Sequence, residues 1–482
     1  MQGFLGIEVL LVVFCLMMYI LSAEYLEKRK IEYINESSLA ILLGLIIGIC
    51  ILIFGGKDYQ FSSSVVFYFL LPPIIFSAGY TLHTTSFFAN FGYISLYGLL
   101  GTFMSFLVIG GFAIFFSSHM GLTSLTTKDC LLLASVLSAT DTVAAITVVK
   151  ENKYPRLHNV LFGEGVLNDA VSIVLYRTVE SVGDSFGVWE GISLVWNFII
   201  TTIFSVGIGL GIGLLAAWVF KKNQSLQNHP EREIAIIILV GYLSYIISEL
   251  IELSGIMAIF CCAVFMAHYT SQNTSKCSQQ ATGLIFTVMS QGAEAFTFTY
   301  LGMNLTTFKW SDWNIAFTLY MLIAITIGRF FAVFFNSFVV YAIKRGSFGL
   351  DKRSISVVWY AGLIRGTIAV ALALQIHSKN SLVIVTTTLI IALATTLCFS
   401  NLISAFTRYV RLEANVSLQY FDLMPSSERQ DSSYCIRMWQ KVDKEYLDKW
   451  FGKEPVSNNV NCWKKVWEEE EISLNELDTR SK

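Results

Sequence analysis

Charge is scarce in this sequence: Lys, Arg, Asp and Glu make up 14% of 482 residues, and their near balance leaves a net charge of −2. With no basic stripe for a phosphate backbone, nucleic acid is excluded as a partner. The nine cysteines lack paired spacing, which argues against a disulfide frame or a zinc site. Cys15, Cys50, Cys130, Cys261, Cys262 and Cys398 lie inside apolar runs and read as small core hydrophobes. No His/Cys cluster has metal-ligand spacing, which disfavours a transition-metal carrier. No nucleophile and base fall at a recognisable spacing, so the chain does not read as an enzyme and calls for no cofactor. The N-terminus has no positive n-region, and its apolar stretch outlasts a signal-peptide core before reaching Lys28, Arg29 and Lys30. It reads as a first spanning helix, with a cleaved signal peptide as the alternative.

Apolar residues are abundant, at 54% of the chain with a mean hydropathy of +0.60. That is too apolar for an ordinary soluble domain and predicts an all-α protein of the lipid bilayer. Stretches long enough to cross fall near 4–23, 38–55, 62–80, 91–117, 129–150, 157–178, 191–220, 233–252, 254–270, 280–304, 312–342, 354–378 and 381–408. Ser254-Gly255 is the only break within 244–270. With thirteen spans and a cytoplasmic C-terminus, the inner loops collect sixteen Lys and Arg, against Lys57, Lys128, Arg177, Lys309 and Lys379 outside. This is the bias of the positive-inside rule. Thirteen divides into six spans, a linker and six more, the layout of two inverted repeats. The fifth and twelfth spans are then counterparts, and both are interrupted mid-membrane, at Ser138–Thr142 and Gly362–Thr367. Paired interruptions of this kind mark discontinuous helices around a midplane site.

The chain therefore divides into a membrane domain, 1–408, and a polar cytoplasmic tail, 409–482, carrying Trp439, Trp450, Trp463, Trp467 and the acidic run Glu468–Glu471. The tail reads as solvated and partly disordered, with a regulatory partner as the sharper alternative.

Ionisable residues inside spans are costly and are by default functional candidates. Asp141, Glu164, Asp169, Glu249, Glu252, Glu294, Arg329 and Arg365 all fall there, with Glu252 nearest a membrane face. Ion pairing accounts for some of them, but six acids cannot be neutralised by two bases. The densest cluster is Phe162–Ala170 in the sixth span. On a helix Glu164 and Asp169 are offset by about 140°, so they face different neighbours. One can be locked in an ion pair while the other binds cation. Asp169, beside the neutral amide of Asn168, can hold one proton or one monovalent cation, and away from bulk water the two compete. The fifth-span break adds backbone carbonyls and the side chains of Thr140 and Asp141, hard oxygen ligands suited to sodium or lithium.

Six stretches carry a resemblance to the sodium/proton exchanger family of cation/proton antiporters: VVFYFLLPPIIFSAGYTL (65–82), SATDTVAAI (138–146), LFGEGVLNDA (161–170), SELIELSGIMAI (248–259), AEAFTFTYLGM (293–303) and YAGLIRGTIAVALAL (360–374). The resemblance extends over essentially all of 1–408. The resemblance implies a thirteen-span homodimer with a dimerisation domain and a moving core, in the electroneutral Asn-Asp branch. It places the essential acid at Asp169, the neighbouring amide at Asn168 and the unwound-helix ligands at Thr140 and Asp141. It also implies a structural ion pair between Glu164 and Arg329 and matches Glu249 and Glu294 to family acids that influence transport; Arg365 and Gly165 are further supporting candidates. Phe69, Leu70 and Leu71 fall in the stretch linked to amiloride-type inhibitors. Three features depart from the family pattern. Gly165 stands where Ser is common, Thr142 stands where Pro is usual, and the tail is short. MAHYT and AEAFTFTYLGM look closer to endosomal and vacuolar members, which points to an endomembrane. The expectation is exchange of one sodium or potassium ion for one proton, against two alternatives, a gated cation channel and a non-transporting scaffold.

Overall fold

The computed structural model describes residues 2–29, 35–53, 66–82, 84–119, 125–151, 153–181, 188–307, 313–343, 350–376, 378, 380–410, 412, 442 and 447–452. Among them every regular element is helical and there is no strand. The expectations placed on the tail at Trp439, Trp463, Trp467 and Glu468–Glu471 lie outside the described residues.

The chain opens with α1 (Gln2–Arg29) and α2 (Glu36–Ile53), then a π-helical turn (Val66–Leu70) into α3 (Leu71–Tyr80). A long rod follows, α4 (Thr84–Ser95) joined through a π turn at Leu96–Leu100 to α5 (Gly101–His119). It begins earlier than the apolar run at 91–117 suggests. Next come α6 (Thr127–Ser138), α7 (Val143–Val148), α8 (Pro155–Ser181) and α9 (Val188–Lys222). They are followed by α10 (Pro230–Leu250), α11 (Gly255–Phe265) and α12 (Lys276–Thr307). Then come α13 (Ile315–Ile343), α14 (Lys352–Ala361), α15 (Thr367–Ala373), α16 (Ser381–Ala394) and α17 (Asn401–Tyr409). A short helix in the tail, α18 (Asp448–Phe451), packs on α9.

Eight helical stretches among the described residues are long and apolar enough to cross a bilayer: 36–53, 90–119, 127–148, 189–222, 230–250, 255–273, 315–342 and 381–409. The described parts of the other five stretches expected from the sequence are mainly helical too, without meeting that measure. Large apolar side chains such as Trp196, Ile203, Phe204, Phe330 and Phe338 point outward, as lipid contact requires. Cys50 and Cys398 are exposed as well, which corrects their assignment to the core, while Cys130, Cys262 and Cys277 are buried.

Small residues set the closest helix approaches, since lipid offers no hydrophobic drive and packing must supply the attraction. A Cβ at Gly44 would collide with the Thr299 carbonyl of α12, and one at Gly302 with the Ile41 carbonyl of α2. The α2–α12 pair is in backbone contact for that reason. At Ser254-Gly255 the α10–α11 junction is a Schellman turn: Leu253 N–H donates to Ser248 C=O at 2.9 Å and Glu252 N–H to Glu249 C=O at 3.0 Å. Glu252 takes the left-handed position of that turn, with φ +60°.

Candidate functional site

Two helices break in mid-course. α6 ends at Ser138 and α7 starts at Val143; α14 ends at Ala361 and α15 starts at Thr367. The breaks meet, because Asp141 N–H donates to the Ile364 carbonyl at 2.9 Å. Interrupting a helix strands carbonyls at one new end and N–H groups at the other. Charged side chains at the breaks meet both needs. Arg365, fully buried, donates from Nη1 to the Ala139 carbonyl at 2.8 Å and the Ser138 carbonyl at 3.3 Å, placing a cation at the C-terminal end of α6. Asp141 Oδ1 accepts from Val143 N–H at 3.0 Å, placing a carboxylate at the start of α7. Thr395 and Thr396, in the π turn after α16, bond the Arg365 N–H and C=O at 3.1 and 2.9 Å and hold the second break open. Glycine at 366 lets Asp141 approach: a Cβ there would fall 2.8 Å from Asp141 Cβ.

α8 passes beside the first break and presents different faces to different partners. Asn168 is buried and its Nδ2 donates to Thr140 Oγ1 at 2.6 Å. Its Oδ1 accepts from Ser172 at 3.3 Å, and Ser172 shares a hydrogen bond with Ser138 at 3.0 Å. The amide is thus spent on tying α8 to both sides of the break. Glu164 faces α13, where Arg329 donates to its Oε1. Both are buried, and Arg329 also donates to the Val358 carbonyl at 3.2 Å while its guanidinium packs on the bare Cα of Gly362. One ion pair thereby connects α8, α13 and the end of α14.

Asp169 is placed otherwise. It is half-buried, and among the described residues no side chain or backbone amide donates to its carboxylate. Asp141, Arg365 and Glu294 act on it electrostatically, but Arg365 gives its Nη1 to carbonyls. Glu294, on α12, accepts from Ser290 at 3.1 Å.

The acid-versus-base imbalance in the sequence has a missing counter-charge, Arg177. α8 runs on to Ser181, so Arg177 belongs to that helix and not to an outer loop. Its Nη2 donates to both Glu249 oxygens at 2.9 and 2.7 Å and its Nη1 to the Leu253 carbonyl at 2.9 Å; Gly255 N–H adds a donor to Glu249 at 3.0 Å. Its position at the polar end of an apolar run, VSIVLYRTVE, hid it. Phe69 is largely exposed, Leu70 half-buried and Leu71 buried, in and just after the π turn that precedes α3. Gly165 and Thr142, read from the sequence as separate departures, are in contact: a Cβ at 165 would collide with Thr142 Oγ1.

A family model described as the transmembrane sodium/hydrogen exchanger matches residues 12–408. Sodium/hydrogen exchanger 4 of Arabidopsis thaliana is 31% identical, over 95% of this chain and 96% of its own length. Sodium/hydrogen exchanger 1 of Oryza sativa subsp. japonica is 34% identical over 86% and 81%. An endosomal/prevacuolar sodium/hydrogen exchanger of Saccharomyces cerevisiae is 31% identical over 79% of this chain and 63% of that one. Among solved structures, the sodium proton antiporter MjNhaP1 of Methanocaldococcus jannaschii shares the fold, with a TM-score of 0.58 and 18% identity over 88% of this chain and 99% of that one.

Proposed function

From the premise that this chain belongs to the sodium/hydrogen exchanger family, we propose that it exchanges one sodium ion, or a similar monovalent cation, for one proton at Asp169. One observation carries the assignment of the site. Glu164 has Arg329, Glu249 has Arg177, Glu294 has Ser290 and Asp141 has the Val143 N–H, whereas the Asp169 carboxylate has no donor among the described residues. An acid held in the membrane without a protein partner needs a mobile one. A proton and a sodium ion each satisfy that need, and a single carboxylate holds one at a time.

The neighbours supply what a small hard cation needs besides the carboxylate. Asp141 and the carbonyls of the first break offer oxygens across from α8, and Asn168 holds Thr140 and the break in register through its 2.6 Å bond. Arg365, close to Asp169 and engaged with the α6 carbonyls, offsets the negative charge of the site without occupying it. If the site changes sides only when occupied by one ligand or the other, each cation is matched by a proton and transport is electroneutral. The Glu164–Arg329 pair keeps α8 attached to α13 and α14 throughout.

The finer architecture is also proposed. We read the eight apolar helices with the five remaining helical stretches as thirteen spans in two inverted six-span repeats, with α6–α7 and α14–α15 as the crossing pair of broken helices. The protein works as a homodimer with its C-terminus in the cytoplasm, in an endosomal or vacuolar membrane. The likeness to the yeast endosomal/prevacuolar exchanger supports that location, and the excess of Lys and Arg in alternate loops supports the orientation.

The test is Asp169→Asn in proteoliposomes under an imposed pH gradient. Cation-driven proton flux should fall at least ~100-fold, the size expected when a group needed for every turnover is removed. The variant should keep the same elution profile in detergent. Flux near the wild-type rate would remove Asp169 from the role.

A further inference from the structure

Two threonines flank Asp141, and their hydroxyls differ in what they do. Thr140 Oγ1 already accepts the Asn168 amide at 2.6 Å. Thr142 is 5% exposed, and among the described residues its hydroxyl enters no hydrogen bond, even though the residue stands at the N-cap of α7. A hydroxyl on a buried side chain that spends no bond on the protein is available to a small polar ligand.

Its surroundings point to one. Thr142 lies on the bare backbone of Gly165; a Cβ at 165 would collide with its Oγ1 and come within 3.2 Å of its Cβ and 3.3 Å of its Cγ2. Gly165 is one helical turn before Asp169 on α8, and helical side chains lean toward the N-terminus, covering the preceding turn. Asp169 therefore projects from the same face of α8 that Gly165 leaves open to the Thr142 hydroxyl. The absent side chain at 165 makes that approach possible.

We propose that Thr142 is a cation ligand of this exchanger: its hydroxyl, seated over Gly165, contributes an oxygen to a sodium or lithium ion held by Asp169 and sets affinity and ion choice. The inference rests on Asp169 being the exchange site. It assigns the ligand hydroxyl to Thr142 rather than Thr140, whose oxygen is engaged in fixing Asn168. A hydroxyl oxygen favours small hard cations, so sodium and lithium gain more from it than potassium does.

The experiment compares Thr142→Val, which keeps the side-chain shape, with Thr142→Ser, which keeps the hydroxyl. Both are made in the full chain, and sodium concentration dependence of proton flux is measured beside thermal stabilisation by sodium in detergent. Thr142→Val should raise the sodium concentration for half-maximal flux roughly fivefold, the scale of one lost neutral hydrogen-bonding group. It should shrink the sodium-dependent stabilisation and narrow the preference of sodium over potassium, while Thr142→Ser stays near wild type on all three. The double variant Thr142→Ala with Gly165→Ser returns a hydroxyl from the opposite side, and it should recover sodium affinity relative to Thr142→Ala with Gly165→Ala. Wild-type affinity and selectivity in Thr142→Val overturns the proposal. If that variant does not fold, equal affinities in the two double variants overturn it. Either result leaves the Asp169 reading standing, because that reading fails only if Asp169→Asn exchanges.

Discussion

Glu164 and Asp169 lie five residues apart on the same helix, both within the membrane domain, yet their surroundings are opposite. Glu164 is sealed against Arg329 on α13, with Gly362 pressed on the guanidinium. Asp169, rotated to the face of the two breaks, is left without a donor among the described residues. A buried carboxylate with a fixed counter-ion is committed to one protonation state and one neighbour. A carboxylate without one is free to exchange partners. The difference separates an acid that ties helices together from the acid proposed to exchange ligands, and ~140° of helical rotation is enough to produce it.

The sharpest way to break the comparison is to make the two acids interchangeable in effect. Asp169→Asn should remove exchange and leave the fold, as argued above. Glu164→Gln should do the reverse in order of severity, stranding Arg329 in a buried site at a cost of about 3–5 kcal/mol. Transport is then lost through instability, seen as a lower melting temperature and early aggregation in size-exclusion chromatography. Adding Arg329→Gln should restore part of the loss, since two neutral amides replace an unpaired charge. If the two losses simply add, the pair does not carry the load assigned to it.

The sequence made this contrast readable because the spacing of Glu164 and Asp169 fixes their relative direction before any coordinates exist. The two breaks were legible for a similar reason: Ser138–Thr142 and Gly362–Thr367 interrupt apolar runs with residues that do not favour continuous helix. What was not legible was the wiring. Arg365 reads from the sequence as a charge looking for a carboxylate, whereas it serves the α6 carbonyls exposed by the other break. Arg177 looked like a loop residue because it ends an apolar run, and only the length of α8 brings it onto Glu249. Gly165 and Thr142 looked like two unrelated losses, and no one-dimensional rule puts a residue of one helix into the notch of another.

The Arg177–Glu249 pair tests whether every bonded acid behaves like Glu164. Nη2 alone serves both Glu249 oxygens while Nη1 goes to the Leu253 carbonyl, so the two-nitrogen fork is not formed, and side chains 29% and 13% exposed screen the pair further. A double-mutant cycle with Arg177→Gln and Glu249→Gln should therefore give a coupling of about 1 kcal/mol, well below that of the buried pair. A coupling as large as that between Glu164 and Arg329 would mean that burial does not decide how much such a pair contributes.

Glu252 sharpens the comparison from the other side, as an acid counted among the membrane charges that the fold explains without either role. It is exposed, and its backbone takes the left-handed position of the Schellman turn that ends α10, with φ +60°. A residue with a Cβ is strained there relative to glycine. If the position is occupied for its backbone alone, Glu252→Gly should raise stability by about 0.5–1 kcal/mol, the conformational penalty relieved less the entropy added to the unfolded chain. The melting temperature should rise slightly and the exchange rate should not change. A fall in exchange with unchanged stability would give Glu252 a charge-dependent role of the kind proposed for Asp169.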